Sequence, residues 1–364
     1  MAIDLQKLLQ FAVENDASDV HLQALAAPMI RIAGQMRAVN AEPLTEEEVR
    51  GFIASIGPEG LEGDLDTAIV QGLDFSYEIA GLSRFRCSGY RHLGKAGISM
   101  RIIRFQIPSI EDLHLPKVIN DIALSRRGLT LLTGTTGSGK STTLAAMIDL
   151  INKTYRSKII TVEDPIEYIH TNQTALISQL EVGLDTPSFL QALRQALRQD
   201  PDVILVGELR DVQSLRMSLQ AADTGHQVFS TVHSATAAQT VERIIAMFPP
   251  AEHKLLLSQL AGSIEAIISQ RLVSTLEEGR RPAVEILRGN SVTEKFIMEN
   301  RINELSDYIE TGEAGMQSFD QHILQMYQEQ LISGTEAMRW ASRPEALALA
   351  MRGIKTSNVR GGSG

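Results

Sequence analysis

Leu129-Thr130-Leu131-Leu132-Thr133-Gly134-Thr135-Thr136-Gly137-Ser138-Gly139-Lys140-Ser141-Thr142-Thr143-Leu144-Ala145-Ala146-Met147-Ile148 decides the fold. A short apolar run leads into G-x-x-x-x-G-K-[ST], and a helical stretch leads out of it. Chemistry sets that spacing. Glycines let the backbone turn so that successive N–H groups point inward at a β-phosphate, with the dipole of the following helix behind them. The Lys140 ammonium reaches β- and γ-oxygens, and the Ser141 hydroxyl sits where Mg²⁺ needs a ligand. The cradle is therefore Gly134, Thr135, Thr136, Gly137, Ser138, Gly139, Lys140, Ser141 and Thr142, holding ATP with Mg²⁺. A chance match in a chain of this length is on the order of one in a hundred.

Downstream of the cradle the pattern of strand, turn and helix repeats. Residues 129–133, 158–162, 202–206 and 227–232 are short β-rich runs separated by helical stretches, which predicts a mainly parallel sheet with helices on its faces. After Pro250 the chain reads as helical, with a small β excursion at 283–287. Upstream, Leu5, Leu8, Leu9, Ala12 and Val13 have helical spacing. Period-two pieces around Val20, Ile30, Phe75, Phe85 and Ile98 read as half-buried strands, interrupted by a helix near 46–55. Pro108 and Pro116 bracket a linker. The expected division is 1–107 as a small mixed domain, 108–117 as linker, 118–290 as nucleotide-binding core, and 291–355 as a helical region. The Gly/Ser-rich end, 356–364, reads as a disordered tail or an expression scar.

Composition narrows the class. In 364 residues there are 44 acids against 34 Lys and Arg, a net charge of −10 that disfavours a polyanionic partner, so no nucleic acid is expected. A lone cysteine, Cys87, excludes a disulfide framework and a multi-cysteine zinc site, and fits a reducing compartment. No run approaches a membrane span, and the acid-containing amino terminus is not a signal peptide, so a cytoplasmic protein is expected. The charge is uneven: residues 42–78 carry ten acids and one base, and residues 84–127 carry nine bases and three acids. The bland reading of such asymmetry is a solvated face; the sharper one is that the basic stretch meets something anionic.

Strand ends supply the candidate chemistry. Glu163 and Asp164 close the run 159–162, at the carboxyl edge where ligands of such sheets lie, and a carboxylate there can orient a water for in-line attack. Val203-Ile204-Leu205-Val206-Gly207-Glu208 has the Walker B shape, with Gly207 where aspartate is usual. Mg²⁺ would then rely on Ser141, the phosphates and waters. Which of Glu163 and Glu208 takes the proton stays open at this level. His226 and His233 flank a strand, and His233 is placed to sense a γ-phosphate or to bridge to Glu163. Arg194 and Arg198 lie one turn apart on a helix expected at 188–199. Arg86 and Arg101, within the basic stretch, suit phosphate-binding fingers if subunits pack in a ring.

Residues 134–141, 161–168, 200–211 and 224–233, in that order, resemble the Walker A, Asp, Walker B and His boxes of the secretion ATPase superfamily. Within it the chain is most similar to the type IV pilus retraction ATPases (PilT/PilU-like); residues 17–22 and 315–321 resemble their opening and closing motifs. The resemblance implies a RecA-like P-loop ATPase domain with a smaller α+β PAS-like amino-terminal domain and a helical carboxyl-terminal region. It implies a homo-hexamer, peripheral to the inner membrane, that acts on a pilus platform protein, with a paralogous retraction ATPase as a further candidate partner. Twitching motility would follow. By the same similarity Glu163 is the catalytic carboxylate, Glu208 the Walker B glutamate, His226 and His233 the His box, and Arg86 and Arg101 the arginine fingers. Extension ATPases of the superfamily usually carry a four-cysteine zinc module, which one cysteine cannot supply. The helix signature A-I-R-N-L-I-R-E is replaced by Ser291-Val292-Thr293-Glu294-Lys295-Phe296-Ile297-Met298-Glu299, which leans toward the accessory, PilU-like branch. Competing classes are a nucleic-acid translocase, an extension or secretion ATPase, and a small-molecule kinase.

Overall fold

The computed structural model describes residues 3–32, 34–58, 61, 64–103, 106–277 and 279–354; the tail expected at 356–364 lies outside them. Two compact units emerge, residues 1–106 with 167–169, and residues 107–166 with 170–364.

The first unit is built on β1 (Ala17–Gln23), β2 (Met29–Ile32), β3 (Gln35–Ala38), β4 (Leu73–Ile79), β5 (Ser83–His92) and β6 (Lys95–Ile103). They form one antiparallel sheet in the order β3-β2-β1-β6-β5-β4. Period-two alternation explains its two faces. Ser83, Phe85 and Cys87 on β5 are buried, together with Ile98 and Met100 on β6, against Leu9, Ala12, Val49 and Ile53 of two helices. The second of these helices, Glu46–Ile56, starts at a capping box in which Thr45 and Glu48 satisfy each other's backbone N–H groups. Burial pushes the Cys87 thiol up to about 12, so the lone cysteine is a packing residue.

Because alternation turns Phe85 and Cys87 inward, Arg84 and Arg86 face the other way. Register sets Arg31 opposite Asp19, Asp19 opposite Arg101, and Arg101 opposite Arg86. One acid and three arginines thus form a row across four strands. Arg101 Nε donates to Asp19 Oδ1 at 3.1 Å, and Arg31 lies 3.7 Å from the same carboxylate.

The second unit contains β7 (Gly128–Thr133), β8 (Lys158–Glu163), β9 (Leu176–Glu181), β10 (Val203–Val206), β11 (Gln227–Val232), β12 (Ile264–Ser274) and β13 (Arg280–Arg288). The sheet order is β13-β12-β7-β11-β10-β8-β9, parallel throughout except where β13 runs back along β12. Leu129, Leu131, Ile204, Val206 and Val228 pack on one face against helices Val212–Asp223, Ala237–Ala246 and His253–Ser263. Leu132, Ile159, Leu205 and Phe229 pack on the other, against Lys140–Thr154 and Val118–Ala123. Ile110 and Leu115, from the stretch between the two prolines, are buried in that second layer.

Two strands of this unit are absent from the sequence reading, as is β3 of the first. β9 adds an outer edge, and β12 occupies a stretch expected to be helical after Pro250. The helix His253–Ser263 passes straight into β12 at Ile264, with no proline or turn cluster between them. β12 is buried on both faces, so its residues lack the alternation that marks a half-exposed strand. The expected excursion at 283–287 is the middle of β13, paired with β12 along its length.

Beyond β13 the chain is helical. Three helices, Phe319–Gln328, Gly334–Trp340 and Pro344–Met351, pack Phe319, Ile323, Ala337 and Leu347 onto Val273 and Ala283. The closing motif at 315–321 seats them: Gln317 bridges to Ile286 on β13, and Ser318 with Gln321 caps the first of the three helices. The helix expected at 188–199 is Phe189–Ala196, so Arg198 lies past its end; Arg194 and Arg198 are both exposed. No helix among the described residues is long and apolar enough to cross a membrane.

Candidate functional site

The loop after β7 runs from Gly134 to Gly139 and feeds the helix Lys140–Thr154. Gly134 adopts φ +143°, and a Cβ there would stand 2.4 Å from the Gln270 carbonyl oxygen and 2.6 Å from Ser138 Oγ. Only glycine fits. Lys140 is 8% exposed, and its Nζ donates to the carbonyls of Gly134 and Thr135, each at 3.0 Å, which curls the loop around the ammonium. Ser138 Oγ is buried without a hydrogen-bond partner, a polar atom left over inside the cradle. Glycines that a side chain would fill, a buried ammonium and an orphaned hydroxyl fit a phosphate chain, with Ser141 at the first turn for a divalent ion.

The loop has a brace that sequence reading missed. Gln270 on β12 donates from Nε2 to the Ser138 carbonyl at 2.7 Å and accepts from Thr143 Oγ1 at 2.9 Å. Both bonds are buried. The signal was available only as a glutamine between Ser269 and Arg271, which without the strand has no direction.

Register gathers the other candidates. Thr133 on β7 pairs with Val232 on β11, Ser230 with Val206 on β10, and Val206 with Val162 on β8. The carboxyl ends therefore present, in spatial order, the phosphate loop, His233, Gly207-Glu208 and Glu163. At strand spacings near 4.8 Å, the β10 end is roughly 10 Å and the β8 end roughly 14 Å from the end of β7. Glu208 pairs with Arg210 and lies 3.8 Å from His233 Nε2. Glu163 Oε1 accepts from Thr161 Oγ1 at 2.7 Å and from Gln179 Nε2 at 3.3 Å. Gly207 explains its departure from the usual aspartate: a Cβ there would come within 3.2 Å of the Val162 carbonyl and 3.4 Å of Glu163 Cα.

The two histidines separate. His233 follows β11 at the edge just described, whereas His226 precedes it, and its carbonyl accepts from Gly128 at the start of β7. A six-residue strand puts roughly 20 Å between them. His226 Nδ1 is 2.9 Å from the Ala221 carbonyl, so that nitrogen donates and the ring staples the end of a helix. Within one chain, therefore, His233 lies at the carboxyl edge and His226 at the opposite end of β11. Arg86 and Arg101 belong to the first unit, on the row across β2, β1, β6 and β5, Arg86 half-buried and Arg101 exposed.

The model of the type II/IV secretion system protein family matches residues 1–304. The type IV pilus retraction ATPase PilT of Pseudomonas aeruginosa is 40% identical over 344 residues, covering 94% of this chain and 99% of its own. The type IV pilus ATPase PilU of the same organism is 36% identical over 352 residues, covering 96% and 92%. Among solved structures, the pilus retraction motor PilT with bound ADP superposes with a TM-score of 0.89 at 36% identity, covering 95% of this chain and 99% of that one. The Legionella pneumophila ATPase DotB superposes with a TM-score of 0.78 at 27% identity, covering 92% and 94%.

Proposed function

The chain belongs to the type II/IV secretion system protein family, and on that premise we propose that it is a ring-forming motor that hydrolyses ATP to retract type IV pili. One observation carries the reading: the phosphate loop, His233, Glu208 and Glu163 share a single sheet edge, in a chain alike over almost its whole length to a retraction motor. The enzyme is an ATP hydrolase. Its cradle residues 134–142 bind the triphosphate through backbone N–H groups, and Lys140 exchanges its loop carbonyls for phosphate oxygens. Mg²⁺, when bound through Ser141, supplies charge neutralisation at the β- and γ-oxygens.

Glu163 is the carboxylate that orients and deprotonates the attacking water. Thr161 and Gln179 donate to its Oε1 at the end of β8, and its place in the Asp-box run supports that role, while the Glu208 carboxylate faces Arg210 and His233. Glu208 and His233 then form the sensing pair beside the γ-phosphate. Arg86 and Arg101 serve as fingers for a neighbouring subunit's nucleotide, in a hexamer that works on the inner-membrane platform protein from the cytoplasmic side. His226 takes no part in that chemistry. The 1–107 unit is PAS-like, the 118–290 core RecA-like. A finer assignment, an accessory motor beside a paralogous retraction ATPase, is favoured by the sequence of helix Ser291–Met298, which departs from the retraction signature.

Deletion of the gene with live imaging of labelled pili tests the reading. Long fibres that fail to retract are expected, and bald cells would assign the chain to extension instead. If a second retraction motor masks the loss, retraction force falls rather than frequency.

A further inference from the structure

Glu285 lies on β13, outside every motif considered above, yet it is 7% exposed and its bonds run toward the nucleotide edge. Its Oε1 accepts from the backbone N–H of Ala237 at 2.8 Å, the first residue of helix Ala237–Ala246. That helix begins four residues after His233. The same oxygen is 3.5 Å from Ser269 Oγ on β12, and Ser269 Oγ in turn accepts from Thr133 Oγ1 at 3.0 Å. Thr133 is the last residue of β7, immediately before Gly134. One buried carboxylate is therefore bonded, directly or through one hydroxyl, to the entry of the phosphate loop and to the exit of the His233 segment.

A buried carboxyl is costly unless its bonds repay desolvation. Burial pushes the Glu285 carboxyl above its usual range, while the Ala237 N–H, the Arg271 charge and the Ser269 hydroxyl pull it back. An apolar side chain would fill the same space but would leave the Ala237 N–H unpaired and take a counter-charge from the half-buried Arg271. What the acid adds is a bond across two loops that must keep their spacing.

We infer that Glu285 is a positioning residue: through Ala237 and through Ser269–Thr133 it sets the distance between the phosphate loop and His233, and thereby the approach of His233 to Glu208. The inference rests on the reading of this edge as the site of hydrolysis. Glu285 touches no reacting atom. Its removal changes the alignment of the edge more than its capacity to hold nucleotide, so it acts on kcat more than on KM.

The test is steady-state Mg-ATP hydrolysis by the full chain, with E285A, E285Q, S269A, H233A and the E285A/H233A pair. E285A is expected to lower kcat about tenfold with KM for ATP changed less than about threefold. E285Q keeps an acceptor oxygen for Ala237 and restores most of the rate. In the H233A background E285A adds little, because the effect travels through His233. Should E285A fail to fold, S269A carries the question, with an expected loss of about threefold in kcat on a fold that keeps Ala237 bonded. Wild-type kcat in folded E285A or in S269A, or full additivity with H233A, overturns the inference while leaving the ATPase reading intact. A wild-type chain that does not hydrolyse Mg-ATP removes both.

Discussion

Gln270 and Ser138 meet at 2.7 Å, side-chain amide to backbone carbonyl, and that contact ties the phosphate loop to the strand beside it. The other end of the same amide accepts from Thr143, one turn into the helix that follows the loop. Replacing Gln270 with alanine leaves a buried carbonyl and a buried hydroxyl unpaired, each worth about 1 kcal/mol or more. The loop should lose its set shape before nucleotide arrives. Titration of Q270A with a fluorescent ATP analogue is expected to show binding weakened about tenfold or more. Unchanged affinity would mean that the loop holds itself.

Lys140 makes a different prediction. Its ammonium is buried against two loop carbonyls, so Lys140→Ala removes a charge the loop was folded around. Turnover should fall below detection. The sharper readout is thermal: ATP with Mg²⁺ raises the melting temperature of the wild type by mass action and should leave that of K140A unmoved.

Glu163→Gln separates binding from chemistry. The amide retains an oxygen for the Thr161 and Gln179 donors but cannot take a proton. Binding of ATP should survive while hydrolysis slows about a hundredfold or more, a typical general-base loss. Single-turnover assays with labelled ATP measure the step directly. Wild-type rates in E163Q would pass the role to Glu208.

What the sequence made legible follows the kind of signal each feature carries. The phosphate loop reads from residue types alone, because its chemistry demands glycines, lysine and serine at set positions. The strands around it read because they alternate with helices, and the half-exposed strands of the first unit because Phe85 and Cys87 alternate with Arg84 and Arg86. β12 did not. Its residues are buried on both faces, polar ones among them, and join a helix without punctuation, so neither periodicity nor turn chemistry marks it. Losing β12 also hid Gln270 and Ser269, whose direction exists only in the strand. His226 and His233 read as flanking a strand, and β11 does lie between them, so seven residues of extended chain set them at opposite ends of it.

That separation is itself testable. His233→Ala should lower kcat for ATP by about tenfold, because it removes the partner of Glu208. His226→Ala costs its contacts with the Ala221 carbonyl and Thr224 Oγ1, and kcat should stay within about twofold of wild type, with a lowered melting temperature. Equal losses in the two variants would mean that His226 reaches chemistry through a neighbouring subunit.

Acid stability offers a check on the carboxyl-terminal helices. His322 sits on helix Phe319–Gln328 at 8% exposure, and its Nδ1 accepts from the Val284 N–H at 3.0 Å, which requires the ring to be neutral. Burial lowers its pKa from 6.5 to about 4. Between those values the unfolded chain binds the proton and the folded chain does not, so stability is whole above about pH 6.5 and is lost as pH falls toward 4. The shift corresponds to about 3 kcal/mol over that window. His170, also lowered to about 4 by burial, loses stability in the same direction, so the wild-type curve alone does not isolate His322. His322→Asn keeps an acceptor for Val284 and has nothing to titrate. Urea unfolding at about pH 7.5 and about pH 5 should show a shallower loss in H322N than in wild type. Parallel losses would place the acid sensitivity elsewhere than at this histidine.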